Sequence, residues 1–107
     1  MRKAFGVDLI EIKKARRFYK THKNRLDSFF SPQEIAFIRA GERPHENLAI
    51  LLASKEAVFK AVPSLGTGLA AFRNIEMIFH KGTPKKADLK FSILKNKQYV
   101  VVQCAGI

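Results

Sequence analysis

Phe5-Gly6-Val7-Asp8-Leu9-Ile10-Glu11-Ile12 is the stretch that decides the fold of this chain. From Lys3 to Ile10 the residues alternate, with Phe5, Val7 and Leu9 on one side and Gly6, Asp8 and Ile10 on the other, which is the period of a β-strand. Asp8 therefore projects from the face opposite Phe5. From Glu11 to Arg25 the spacing turns helical: Ile12, Ala15, Tyr19 and Leu26 form an apolar stripe, and Lys13, Lys14, Arg16, Arg17, Lys20, Lys23 and Arg25 crowd the rest. A strand leading into a strongly basic helix is the expected opening of the fold.

Ser31-Pro32-Gln33-Glu34 supplies a helix start, with Ser31 to cap, Pro32 at the first helical position and Glu34 to complete a capping box. Ile35, Phe37 and Ile38 give this short helix its buried side and Gly41 closes it. A longer helix should begin near Glu46 or Asn47 and stop at Pro63. Its broad apolar face is Leu48, Leu51, Leu52, Val58, Phe59 and Val62; Ala49, Ala53, Glu56 and Lys60 form the neighbouring stripe. The two alanines leave room there for a backbone or a ligand to lie close. After Pro63-Ser64-Leu65-Gly66-Thr67-Gly68, alternating runs at Asn74 to His80, Asp88 to Leu94 and Gln98 to Cys104 predict three more strands, joined as an antiparallel meander. The predicted class is α+β: an N-terminal strand, a basic helix, a short helix, a long helix, then a three-stranded antiparallel meander, in one domain over residues 1–107.

Composition narrows the partners. The chain has 107 residues, and 20 Lys and Arg against 9 Asp and Glu leave a formal charge of +11. A field of that sign steers nucleic acid, an anionic membrane, a phosphorylated small molecule or an acidic protein without naming one of them. A single Cys104 excludes an internal disulfide and fits a reducing cytoplasm. No run approaches the length of a membrane span, and Met1-Arg2-Lys3-Ala4-Phe5-Gly6 lacks the apolar stretch of a signal peptide, so a soluble, unprocessed protein is expected. His22, His45 and His80 have no paired ligand spacing and read as surface histidines; Cys104, alternating with Val100 and Val102, reads as a small buried residue.

Asp8 and Glu56 are the residues with chemical promise, because magnesium sites that act on phosphates offer one or two carboxylates and leave the other positions to substrate and water. Each also has a plain structural reading. Asp8 at a strand end can cap the following helix, and Glu56 with Lys60 is an i,i+4 pair of the kind worth about 0.2–0.5 kcal/mol on any helix surface. Glu76 occupies one strand position and has no assigned catalytic role.

The segment around Gly6-Val7-Asp8 and the segment Ser54-Lys55-Glu56-Ala57-Val58-Phe59-Lys60 together resemble the two signatures, G-x-D and K-E-x-x-x-K, of the holo-acyl-carrier-protein synthases, the small phosphopantetheinyl transferases. The resemblance covers most of the chain and is strongest over residues 5–14 and 48–68; Ser31 to Glu34 and Asn74-Ile75-Glu76-Met77 also match segments of the family. It implies that Asp8 and Glu56 hold magnesium against the pyrophosphate of coenzyme A, that Lys60 contacts phosphate, and that Gly66, Thr67 and Gly68 lie by the nucleotide. The implied reaction transfers 4'-phosphopantetheine from coenzyme A to a serine of an apo acyl carrier protein, with Glu56 as candidate general base and Lys60 stabilising the leaving diphosphate. It further implies an acidic acyl carrier protein docked on Lys13, Lys14, Arg17 and Lys20, a role in lipid and fatty acid biosynthesis, and a homotrimer with the coenzyme site between subunits.

The chain departs from the family at three places. Leu51 and Leu52 stand where an aromatic residue and often an Arg precede A-x-K-E, the segment from Gly68 to Asn74 is short, and Ser92-Ile93-Leu94-Lys95 puts Lys95 at the family's His position, where it would act as a point charge without an imidazole hydrogen bond. Two further readings follow: a catalytically altered relative that binds coenzyme A or carrier protein without transfer, and, as the lesser candidate, a basic nucleic-acid-binding module, since no base-stacking motif accompanies Phe18 and Tyr19.

Overall fold

The computed structural model describes residues 4–65, 75–86 and 88–107. Strand β1 (Phe5–Glu11) runs directly into helix α1 (Ile12–His22), followed by a 3-10 turn at Leu26–Ser28, helix α2 (Pro32–Arg39), helix α3 (Pro44–Ala61) and a 3-10 turn at Pro63–Leu65. Strands β2 (Ile78–His80), β3 (Thr83–Lys85), β4 (Leu89–Lys95) and β5 (Tyr99–Gly106) complete the described fold. The α+β order matches the sequence reading.

The strand pairing departs from the predicted meander. β1, β5 and β4 form one antiparallel sheet in that spatial order, with Asp8 opposite Val102 and Val102 opposite Ile93, whereas β2 and β3 form a separate hairpin. Of the run Asn74 to His80, the strand takes Ile78–His80, and its partner is Thr83-Pro84-Lys85, a stretch that reads as a connection because it contains proline. The two-residue turn explains the difference. Lys81 and Gly82 have φ of 52° and 80°, the consecutive left-handed conformations that match the twist of a tight hairpin. That turn folds the chain back onto β2 before it can enter the main sheet.

Helix α3 is the centre of the core. Leu48, Ala49, Leu51, Ala53, Ala57 and Val58 are all sealed from solvent, so burial runs around the helix and not along a single face. β1, β5, α1 and α2 all pack against it. Leu52, Phe59 and Val62, expected on the apolar face, are only half-buried. The helix begins at Pro44, earlier than expected, because proline at the first position needs no amide partner. Asn47 then donates its side-chain amide to the carbonyls of Ala40 and Phe37 at 2.7 and 3.1 Å, closing the end of α2. Helix α1 stops at His22, short of the expected Arg25, and the 3-10 turn that follows carries Leu26 into the core.

Candidate active site

The site is built where β1 crosses α3. A Cβ placed on Gly6 would lie 1.9 Å from the Ala57 carbonyl oxygen and 2.8 Å from the Ala61 amide nitrogen, so only glycine lets the strand lie this close to the helix. The stripe expected to admit a backbone or a ligand is Ala49, Ala53, Glu56 and Lys60; β1 instead comes closest one position over, at Ala57 and Ala61, which the sequence reading does not single out. Asp8 shares the inward face with Gly6, and the close approach brings its carboxylate within reach of Lys60. Lys60 Nζ donates to Asp8 Oδ1 at 2.8 Å and to the Val7 carbonyl at 3.2 Å. Asp8 is largely covered, at 16% side-chain exposure, while Lys60 is 54% exposed.

Glu56 is half-buried one helical turn before Lys60, on the same stripe of α3, and forms no ion pair among the described residues. The structure thus joins Asp8 to Lys60 directly and places Glu56 a turn away. Among the described residues there is no cluster of three acidic, His or Cys side chains placed to hold a metal. Gly66, Thr67 and Gly68 lie outside the described residues.

A second ion pair holds the helix that carries Glu56. Lys55 and Glu34 are both fully buried, and Lys55 Nζ donates to Glu34 Oε2 at 2.9 Å and Oε1 at 3.1 Å. The same carboxylate accepts from the backbone amides of Met77 at 2.9 Å and Ser31 at 3.0 Å. Burial pushes the Lys55 ammonium below the ordinary lysine range, and its hydrogen bond to Glu34 opposes that. The predicted capping box is present, since Ser31 Oγ also accepts from the Glu34 amide. Sequence reasoning gave Glu34 only that local role and missed its long-range one. The available signal was Lys55 itself, because a lysine within the apolar centre of a helix requires a buried carboxylate.

A basic cleft of about 440 Å³ opens between the start of α1, the start of α3 and the β4–β5 turn, lined in part by Arg16, Arg43, His45, Glu46, Lys95 and Lys97. Lys95, read as a point charge for phosphate, is 2.5 Å from Glu46 Oε1, and Arg43 is 3.5 Å from Oε2. The Lys95 hydrogen bond holds the Glu46 carboxyl below its usual range. Apart from Lys95, none of these residues was singled out for chemistry in the sequence reading, because the three segments meet only in the folded chain.

Lys13, Lys14, Arg17 and Lys20 are exposed on α1. Lys14 borders a groove of about 600 Å³ whose lining includes Leu9, Ile10, Phe18 and Leu52. Leu51 is fully buried, so its side chain packs the core and presents nothing to a ligand. His22, read as a surface histidine, is half-buried between Phe18 and Phe29, with ring centroids 4.5 and 4.9 Å away. Cys104 is buried as expected, and burial raises its thiol pKa.

Residues 4–104 match the family model described as the 4'-phosphopantetheinyl transferase superfamily. A holo-[acyl-carrier-protein] synthase of Moorella thermoacetica is 39% identical over 77 residues, which are 72% of this chain and 59% of that protein. One from Clostridium acetobutylicum is 38% identical over 79 residues, 72% of this chain and 61% of that protein. The matches thus span about three fifths of the length of these relatives. Among solved structures, the holo-[acyl-carrier-protein] synthase of Neisseria meningitidis superposes with a TM-score of 0.77 at 21% identity, over 97% of both chains. The Bacillus anthracis synthase, solved in complex with coenzyme A (3',5'-ADP), superposes with a TM-score of 0.73 at 26% identity, over 96% of this chain and 94% of that one. With the matched family model spanning both β1 and the Lys55-Glu56 helix, this chain belongs to the 4'-phosphopantetheinyl transferase superfamily.

Proposed function

We propose that this chain transfers 4'-phosphopantetheine from coenzyme A to a serine hydroxyl of an acidic acyl carrier protein, as a holo-acyl-carrier-protein synthase. The observation that carries this reading is the convergence of Asp8 and Lys60, with Glu56 one turn away, at a strand–helix crossing that only Gly6 permits. The Bacillus anthracis relative, solved with coenzyme A, supports the choice of donor.

Two hard oxygen donors, one largely covered and one half-buried, fit a magnesium ion that completes its shell with substrate oxygens and water. Asp8 and Glu56 are the residues that would hold it, and a bound magnesium would supply charge neutralisation at the pyrophosphate. The chain's own groups do the rest. Glu56 takes the proton of the attacking serine; its Oγ forms a bond to phosphorus as the bond to the departing adenosine 3',5'-bisphosphate breaks. Lys60 stabilises the charge that builds on the leaving oxygen. Gly66, Thr67 and Gly68 are assigned to the nucleotide, and Lys13, Lys14, Arg17 and Lys20 to the acidic carrier.

The homotrimer is proposed on the outer face of the main sheet. There Leu9 of β1 lines up with Val101 of β5 and Leu94 of β4, Phe5 and Val7 stand beside Ala105 and Gln103, and Phe5 and Leu94 are 56% and 74% exposed. An apolar sheet face this open is expected to be covered by further copies of the chain. No helix among the described residues is long and apolar enough to cross a membrane. A cytoplasmic setting is proposed from the reduced Cys104 and the coenzyme.

Mass spectrometry of apo carrier protein incubated with this chain, coenzyme A and magnesium tests the reading, with a phosphopantetheine-sized gain expected. No gain with several carrier proteins would overturn it. A second reading, binding without transfer, is favoured by Lys95, which is engaged by Glu46. Coenzyme A binding with no mass gain would select it.

A further inference from the structure

The Asp8–Lys60 pair carries an inference that rests on the metal reading above. In this structure the cation on Asp8 is the Lys60 ammonium, with hydrogen bonds to Asp8 Oδ1 at 2.8 Å and to the Val7 carbonyl at 3.2 Å. Two of its three donors are thereby committed to β1. The proposed chemistry asks the same ammonium to meet phosphate and the same carboxylate to ligate a dication. The paired arrangement works against both demands, because a dication on Asp8 and an ammonium within hydrogen-bond distance of that carboxylate repel each other.

The two partners differ in their freedom to yield. Asp8 is fixed in the middle of β1, paired with Val102, and is 16% exposed. Lys60 is 54% exposed on a flexible four-carbon stem near the end of α3. We propose that Lys60 is a displaceable internal counter-ion: it holds Asp8 until a divalent cation takes the carboxylate, and then turns outward to meet phosphate. Metal and phosphate affinities are coupled through this one side chain, so removing the ammonium tightens metal binding and weakens phosphate binding.

The test uses manganese as the probe, with no nucleotide present, and reads free Mn²⁺ by electron paramagnetic resonance. Binding by the wild-type chain that is lost in Asp8→Asn is the outcome the metal reading requires. Against that baseline, Lys60→Met and Lys60→Gln are expected to bind Mn²⁺ at least about threefold more tightly, the scale of a half-exposed charge pair, and Lys60→Arg is expected to stay near wild type. Lysine side-chain ¹H–¹⁵N spectra give a direct readout: the Lys60 ammonium signal, identified by its loss in Lys60→Met, should shift on Mg²⁺ addition in the wild type and stay fixed in Asp8→Asn. Equal or weaker Mn²⁺ binding by both neutral variants, or a Lys60 signal unmoved at saturating Mg²⁺, overturns the inference and leaves the metal reading standing. No Asp8-dependent Mn²⁺ binding at all overturns both.

Discussion

Two lysine–carboxylate pairs flank Glu56 on α3, and they differ in exposure far more than in geometry. Lys55–Glu34 closes at 2.9 Å with both side chains at 0% exposure; Lys60–Asp8 closes at 2.8 Å with 54% and 16%. Distance alone would rank them as equals. Solvent separates them, because a sealed charge has no water to replace a lost partner, whereas an open one exchanges partners at little cost. The sealed pair ties α3 to α2 and to the Met77 amide ahead of β2, which fixes the helix that presents Glu56. The open pair is free to be rearranged by ligands. Within one and a half turns, α3 uses the same two residue types for a sealed tie and for a solvent-open pair.

The largest expected effect breaks the sealed side. Glu34→Gln removes the carboxylate bonded to the buried Lys55 ammonium and should cost about 3–5 kcal/mol, read from urea unfolding. Glu34→Leu combined with Lys55→Met removes both charges and should recover most of that loss, while leaving the Met77 amide without its acceptor. A Glu34→Gln cost under about 1 kcal/mol, the scale of a surface pair, would end the distinction between the two regions.

Gly6→Ala comes next, at the crossing that joins the two regions. The new methyl carbon would stand 1.9 Å from the Ala57 carbonyl, a backbone atom that cannot rotate away, so overpacking of about 1–3 kcal/mol is expected together with a displaced Asp8. Unchanged stability with unchanged Asp8-dependent metal binding would show that the crossing has slack. Asp8→Asn should change stability by less than about 1 kcal/mol while abolishing transfer in the carrier mass assay, which is the signature of an open, functional pair. A large stability loss from Asp8→Asn would move that pair into the structural class.

How much of this was legible follows from the range of each signal. The alternation from Phe5 to Ile10, the capping box at Ser31 and the left-handed Gly41 are local rules, and the structure keeps them. Pairing across the fold is not local. β1 reaches β5 across most of the chain, and the hairpin at Lys81-Gly82 escaped notice because its second strand is only Thr83-Pro84-Lys85. Within the candidate site, Asp8, Glu56 and Lys60 were marked by the resemblance of their segments to the G-x-D and K-E-x-x-x-K signatures; residue type and spacing alone left plain structural readings for each. Glu34 did not stand out, because a satisfied capping box already accounts for a glutamate there, and nothing local shows that its carboxylate continues into the core. Lys95–Glu46 was invisible for the same reason: its members sit on β4 and α3 and meet only after folding.

That third pair gives the smallest and most discriminating prediction. Glu46 and Lys95 resemble the Asp8–Lys60 pair in exposure, at 15% and 52%, so they should behave as an open pair. The Lys95 hydrogen bond, with Arg43 adding to it, lowers the Glu46 pKa below its ordinary 4.5 in the folded chain. A depressed carboxylate contributes stability above its unfolded pKa and loses it as pH falls through the folded value. The contribution is therefore complete above about pH 4.5 and fades below it. Glu46→Gln should lower stability at neutral pH by less than about 1 kcal/mol and flatten that acid limb, in unfolding curves taken from pH 3 to 7. If the mutant loses several times that amount, Glu46 belongs with Glu34 as a structural anchor of α3. If instead the loss is small and the same substitution strengthens binding of inorganic pyrophosphate to the basic cleft, Lys95 is held in reserve by Glu46, and exposure alone sorts all three pairs.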